Sequence, residues 1–251
     1  ARMEMEMRAN EGIPLSEDLH LHPLPPITHA LHCAYLSTHC SSCFSPLPHS
    51  HPLCPSSSPL PAAASLLPAD HRAALLLLLS LPSRTPAGPR ISGLLTNRHK
   101  LLETAARVED GARDMLHAMR LDPDPASLEL AAGCLCLVIT NAVEVVDREG
   151  RALGIAVYGP EFSWVNHSCS PNACYGFVIS PPPLTPPTPH EPRAPPRIVP
   201  AWRNGENCGY DCAELGKGYL EHGPRVMLRS IKWINKGEEV TVAYTDLLLP
   251  T

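Results

Sequence analysis

Apolar residues change their spacing several times along this chain, and each change marks a different kind of segment. Ile13-Pro14-Leu15-Ser16-Glu17-Asp18-Leu19 reads as a turn leading into a short extended piece, because Pro14 disfavours helix in the residue before it. Residues 44–90 show no period and are rich in Pro, Ser and Ala. The run Leu75 to Leu79 is an island there, and predicts at most one short helix over Asp70 to Leu79 with Asp70 as its cap. From Leu94 to Met119 the spacing turns helical: Leu94, Leu101, Leu102, Ala105, Val108, Ala112, Leu116 and Met119 fall mostly on one stripe, with charges opposite. Gly111 weakens the middle of that helix. Asp122-Pro123-Asp124-Pro125 then interrupts the chain. Asp124 as N-cap, with Pro125 at the first helical position, starts a second helix through Leu128, Ala131, Leu135 and Val138. It is apolar nearly all round and should be buried.

After Asn141 the period becomes two. Ala142 to Val146 and Leu153 to Tyr158 read as strands around Asp147-Arg148-Glu149-Gly150, which has hairpin chemistry. Further short strands are predicted at Ala173 to Ile179, Arg225 to Ile231 and Glu239 to Tyr244, with Asn235-Lys236-Gly237 as the turn before the last. No internal repeat is present. The class is α+β.

Composition changes this picture in one respect. Of 30 prolines, thirteen lie from Pro23 to Pro89 and ten from Pro181 to Pro200. The second cluster is expected to be an exposed insertion over 181–205, rich in polyproline II and outside the core. A net charge of −5 and the lack of a basic run give no indication of direct nucleic-acid binding. Charged Arg2, Glu4, Glu6 and Arg8 do not read as a secretory signal, and the leucine run is too short to cross a bilayer. The expectation is an intracellular protein, in nucleus and/or cytoplasm, away from membranes. In that setting its ten cysteines are thiols or metal ligands before they are a disulfide framework.

Two motifs carry the chemistry. Asn166-His167-Ser168-Cys169-Ser170-Pro171-Asn172 alone could be a well-bonded polar turn. About seventy residues later come Gly237-Glu238-Glu239-Val240-Thr241-Val242-Ala243-Tyr244 and then Asp246-Leu247-Leu248. Their order, after Asn141 and Gly154-Ile155-Ala156-Val157-Tyr158, resembles the SET domain of protein-lysine methyltransferases, in particular the SET- and MYND-domain group and the plant SET-domain-group proteins. The resemblance is good over about 91–248 apart from the proline insertion. It is weaker over 7–54, where Arg8-Ala9-Asn10-Glu11-Gly12-Ile13 is similar to the first SET strand, and Ala30 to Cys43 to the start of the MYND insertion. It implies an N-terminal part of the SET domain at 7–36, a degenerate MYND-like, Pro/Ser-rich insertion at 37–90, a helical insertion at 91–141 and the C-terminal SET core at 142–248.

The resemblance implies a SET fold of small β-sheets with a C-terminal pseudoknot, so the two motifs should be spatial neighbours. It also implies S-adenosylmethionine as methyl donor and a lysine of a histone or other protein as acceptor. The lysine, with an ordinary pKa of about 10.4, must lose its proton before in-line attack. Burial in an apolar tunnel favours that loss, and the step itself needs orientation and electrostatics more than a metal. By resemblance Asn166 and His167 bind the cofactor, Asn141 lines its pocket, and the Tyr244 hydroxyl orients the methyl group. The competing role for Tyr244 is a strand-end core residue. Glu238 and Glu239 are expected to serve the turn and its ion pairs.

Cys40-x2-Cys43 followed by Cys54 resembles the first half of a MYND zinc module, with Ser57 where a further cysteine would stand. His39, His49 and His51 are candidate substitutes, and free thiols in an unstructured insertion are the competing reading. Cys208-x3-Cys212 has no partners nearby in sequence. The chain departs from the family in two further places: Met3-Glu4-Met5-Glu6-Met7 stands where the Gly-x-Gly element belongs, and Val143 stands where many members carry phenylalanine. The family's cysteine-bearing post-SET segment would follow Thr251, so the sequence reads as part of a longer protein. A second function of another class, a catalytically weak SET-like protein-interaction module, rests on these departures. The proline segment would then be a ligand for SH3- or WW-type domains.

Overall fold

The computed structural model describes residues 5–20, 22–49, 54, 60–81, 94, 96–101, 106–179, 196–202 and 223–244. Ser57, His51, the motif Cys208-x3-Cys212, Asp246 to Leu248 and most of the proline segment lie outside them. The strands are β1 (Met5–Ala9), β2 (Pro26–Leu31), β3 (Val143–Val146), β4 (Ala152–Tyr158), β5 (Asn166–His167), β6 (Ala173–Val178), β7 (Ile198–Trp202), β8 (Arg225–Ser230) and β9 (Thr241–Val242). The helices are α1 (Ala69–Ser80), α2 (Arg98–Leu101), α3 (Ala106–Ala118), α4 (Pro125–Asn141) and α5 (Pro160–Ser163).

The helical layer follows the spacing of its apolar residues. α4 starts as expected: the Asp124 carboxylate accepts from the backbone N–H groups of Ala126 and Ser127 at 2.9 and 3.2 Å, with Pro125 in the first turn. Its residues Ala131, Leu135 and Val138 join Ala73 and Leu77 of α1 and Ala112, Met115 and Leu116 of α3 in one core. α1 is a full helix of 12 residues, and its cap differs from expectation. Pro68 occupies the N-cap position, and Asp70, inside the first turn, accepts instead from the backbone and ring N–H of His71. Gly111, a weak point by helix propensity, is where the three helices meet. A Cβ there would lie 2.4 Å from His71 Nε2 and 2.9 Å from Leu135 Cδ2, so close approach accounts for the glycine.

Among the described residues the strands form four small sheets: β1 with β7, β2-β4-β3, β6 with β8, and the parallel pair β5–β9. Asp147 builds the β3–β4 hairpin, its carboxylate accepting from the backbone N–H groups of Glu149 and Arg151. The turn at Ile13 to Leu19 is stitched to β8 and the segment after it through the bridges Ile13 to Ile234 and Asp18 to Arg229. One boundary needs correction. The proline insertion was expected to run to residue 205, but Ile198–Trp202 is strand β7, paired antiparallel with β1, with Ile198 and Ala201 buried. A two-stranded sheet tolerates Pro200 at its edge, and the apolar residues around it supply the burial that proline content hides.

At Gly154, β4 runs against β2 with nothing between them. A Cβ there would stand 2.3 Å from the Ala30 carbonyl oxygen, 2.7 Å from Leu31 Cα and 2.9 Å from the Phe44 ring. Two of these neighbours are backbone and cannot move aside without breaking the ladder. Gly154→Ala should therefore destabilise the domain by roughly 2–3 kcal/mol, read as a lower urea midpoint with unchanged slope.

Candidate active site

The site begins where β4 ends. Tyr158 is fully buried and its hydroxyl donates to the Pro224 carbonyl at 2.7 Å. Burial raises its pKa well above the ordinary tyrosine value, so it stays a neutral donor. Pro160 then opens the short helix α5, and its end delivers Val165 and Asn166 to the surface of the strand core.

β5 pairs in parallel with β9, Asn166 opposite Thr241 and His167 opposite Val242. The two segments are some seventy residues apart in sequence, so side chains must hold the join. The Asn166 amide donates to Glu239 Oε1 at 2.8 Å and to the Met5 carbonyl of β1 at 3.4 Å. Asn172 is buried and does more. Its Nδ2 donates to the Glu239 carbonyl at 2.8 Å and to Glu238 Oε1 at 3.1 Å, and its Oδ1 accepts from the Thr241 N–H at 2.9 Å. The Ser168 N–H adds a bond to the Val242 carbonyl. Glu238 also accepts from the Asn235 backbone and side chain; these bonds, the backbone one first, hold its carboxyl below the ordinary value. Both glutamates thus serve the join and its turn, and the two motifs are neighbours as expected.

Tyr244 closes the site. Its backbone N–H donates to His167 Nδ1 at 3.0 Å, its ring lies 5.4 Å from the imidazole, and its hydroxyl donates to the Val165 carbonyl at 2.7 Å. The first bond fixes the histidine tautomer, with the Nε2 proton directed toward Cys169 Sγ at 3.3 Å. The structure therefore brings Asn166, His167 and Tyr244 together. Asn141 stands at the C-terminal end of α4, its amide turned back to the Leu137 carbonyl at 2.7 Å, and β3 begins two residues later.

One residue was missed. Tyr175 of β6 is half-buried, edge-on to Phe162 at 5.4 Å and to Phe177 at 5.8 Å. Its phenol is raised by burial and by the Glu144 carboxylate, and Tyr244 is raised by burial, then by Tyr175 and Glu239. Two tyrosines thus lie within electrostatic reach of two carboxylates, and β3, which carries Glu144, also carries Val143, the position that lacks the family's phenylalanine. The alternation Ala173, Tyr175, Phe177 on one face of β6 was the signal in the sequence.

A second cluster lies apart from these residues. Cys40, Cys43, His49 and Cys54 place their donor atoms within 4.8 Å of one another. The sequence named the three cysteines and left the histidine open among His39, His49 and His51; of the two that lie among the described residues, His49 joins the cluster. His39 instead pairs with Thr38 and Tyr35.

Small sheets joined through an Asn-His-Ser-Cys loop that pairs with the Gly-Glu-Glu-Val segment's strand define a SET domain, and comparison with known proteins agrees. The family model described as SET domain matches residues 70–245, and the chain belongs to the SET-domain family. It is 39% identical over 273 residues to Protein SET DOMAIN GROUP 41 of Arabidopsis thaliana. That match covers 98% of this chain and 46% of the relative, so the chain spans about half the length of the curated protein it matches. Among the described residues no helix is long and apolar enough to cross a membrane.

Proposed function

We propose that this chain carries the SET domain of an S-adenosylmethionine-dependent protein-lysine N-methyltransferase. The observation that carries the reading is the join of the two motifs, which sets the Tyr244 hydroxyl and the His167 ring on the same edge as Asn166. The donor set suits the cofactor. The Met5 and Val165 carbonyls and the tyrosine faces are electron-rich and favour a cation, and the Asn166 carboxamide oxygen and the His167 ring offer polar contacts to an amino acid or nucleoside. The cofactor, when bound, supplies an electrophilic methyl group on a sulfonium.

The chain's own residues do the rest. The Val165 carbonyl accepts the Tyr244 O–H hydrogen bond, which fixes the hydroxyl rotor and leaves the phenol oxygen's lone pairs for the methyl group. The half-buried Tyr175 ring offers apolar surface beside Tyr244, and such surface disfavours the charged ammonium and favours the neutral lysine. The acceptor is a lysine in an exposed segment of a histone or other protein, and the setting is the nucleus and/or cytoplasm. Titrating S-adenosylmethionine into the full-length protein by calorimetry tests the cofactor half of this reading. Saturable binding with a dissociation constant on the order of micromolar is expected. No heat of binding would favour the alternative, a SET-like module kept for protein interaction, which Val143 and the glycine-free β1 support.

A further inference from the structure

We propose that Cys40, Cys43, His49 and Cys54 form a single closed zinc site, and that its loop is fastened to the SET core so that the ion staples the SET sheets together. This goes beyond the methyltransferase reading, since methyl transfer needs no metal.

Geometry comes first. Ligand atoms of a tetrahedral zinc site lie roughly 3.3–3.8 Å apart, given zinc–sulfur and zinc–nitrogen bonds of about 2.3 and 2.0 Å. Here all four donors already lie within 4.8 Å of one another, and Cys43 Sγ is 3.4 Å from His49 Nε2. Small side-chain movements would complete the tetrahedron. The turn that carries the first two cysteines is fixed by its backbone: the Phe44 N–H closes on the Cys40 carbonyl at 2.8 Å, and the Cys40 N–H reaches the Ser45 carbonyl at 2.9 Å. Phe44 adopts φ 65, a left-handed value that costs a bulky residue energy and persists only where the surroundings impose it.

Ligand chemistry selects the ion and its role. Three thiols and an imidazole are soft and borderline donors that suit zinc and not magnesium or calcium. Four protein ligands leave no open position for water, so the site is structural. All four come from residues 40–54, so the site needs no second half of a cross-braced module.

The loop is tied to the core at three points. The Ser42 carbonyl meets His29 Nε2 of β2 at 3.0 Å. Phe44 is fully buried against Gly154 of β4 and edge-on to His29 at 5.4 Å. The Ser45 hydroxyl donates to the Ile179 carbonyl just beyond β6, the strand that carries Tyr175. Loss of the ion would release the loop, and with it Phe44, which packs against Gly154 and His29 where β2 and β4 pair.

Elemental analysis of the 251-residue chain purified without chelator tests the site, and no readout involves S-adenosylmethionine or a lysine substrate. About one zinc per chain is expected. His49→Ala and Cys54→Ser should each lose zinc to a competing chelator at least tenfold faster, His49→Cys should restore retention, and His39→Ala should keep it. A wild-type chain without zinc, about two ions per chain, or variants that hold zinc as the wild type does would overturn the site. Should the variants fail to fold, chelation of the wild-type chain decides. Removing zinc should lower the melting temperature by roughly 10 °C or more, reversibly on adding zinc back. An unchanged melting temperature would overturn the staple.

Discussion

Tyr244→Phe should lower methyl transfer to a lysine peptide by about 10²–10³-fold while leaving S-adenosylmethionine affinity within about threefold. The substitution removes one oxygen and keeps the ring. The Tyr244 backbone N–H still holds His167 Nδ1, and the ring still stands 5.4 Å from the imidazole, so the wall of the cofactor site survives. What disappears is the hydroxyl that donates to the Val165 carbonyl at 2.7 Å. Because that carbonyl is part-buried, the fold should lose only about 1 kcal/mol. Single-turnover rates and calorimetric affinities, measured on the same variant, separate the two effects. Equal losses in both would make Tyr244 a structural residue of the join and remove it from the chemistry.

Asn172→Ala should be the most damaging polar substitution among the described residues of the join. One buried side chain makes three bonds there, to the Thr241 N–H, the Glu239 carbonyl and the Glu238 carboxylate. Truncation leaves the Thr241 N–H and the Glu239 carbonyl without this partner and takes one bond from the Glu238 carboxylate, which keeps those from Asn235. Penalties of about 1–3 kcal/mol per orphaned group, partly relieved by water, add to roughly 3–4 kcal/mol. Asn172→Asp is close in shape but should cost at least as much, since it sets a second carboxylate against Glu238 and loses both donors. Urea unfolding should show a lower midpoint for both variants. A loss below about 1 kcal/mol would mean that backbone pairing of β5 with β9 holds the join unaided.

Local chemistry made much of this fold legible. Asp124 before Pro125, the Asp147 hairpin and the stripe through Val108, Ala112 and Leu116 each depend on residues a few positions apart, and each stands where the spacing put it. The join of the motifs was legible only through resemblance, because nothing within Asn166 to Asn172 specifies a partner seventy residues away. Residues misread or missed share one property: distant partners decide their roles. β7 is masked by Pro200 and exists because β1 offers a ladder. Gly111 looks like a weak helix position until α1 and α4 close on it. Tyr175 and His49 are ordinary in sequence, and gain their place from Tyr244 and Glu144 in one case and from three cysteines in the other.

The most direct test of the proposed activity is mass spectrometry of lysine-bearing histone and non-histone peptides after incubation with the full-length protein and S-adenosylmethionine. The proposal predicts peptides heavier by one or more methyl groups, with the mass located on lysine, and no gain with Tyr244→Phe over the same period. Cofactor binding by a folded protein with no methyl group on any lysine offered would contradict it and favour the interaction module.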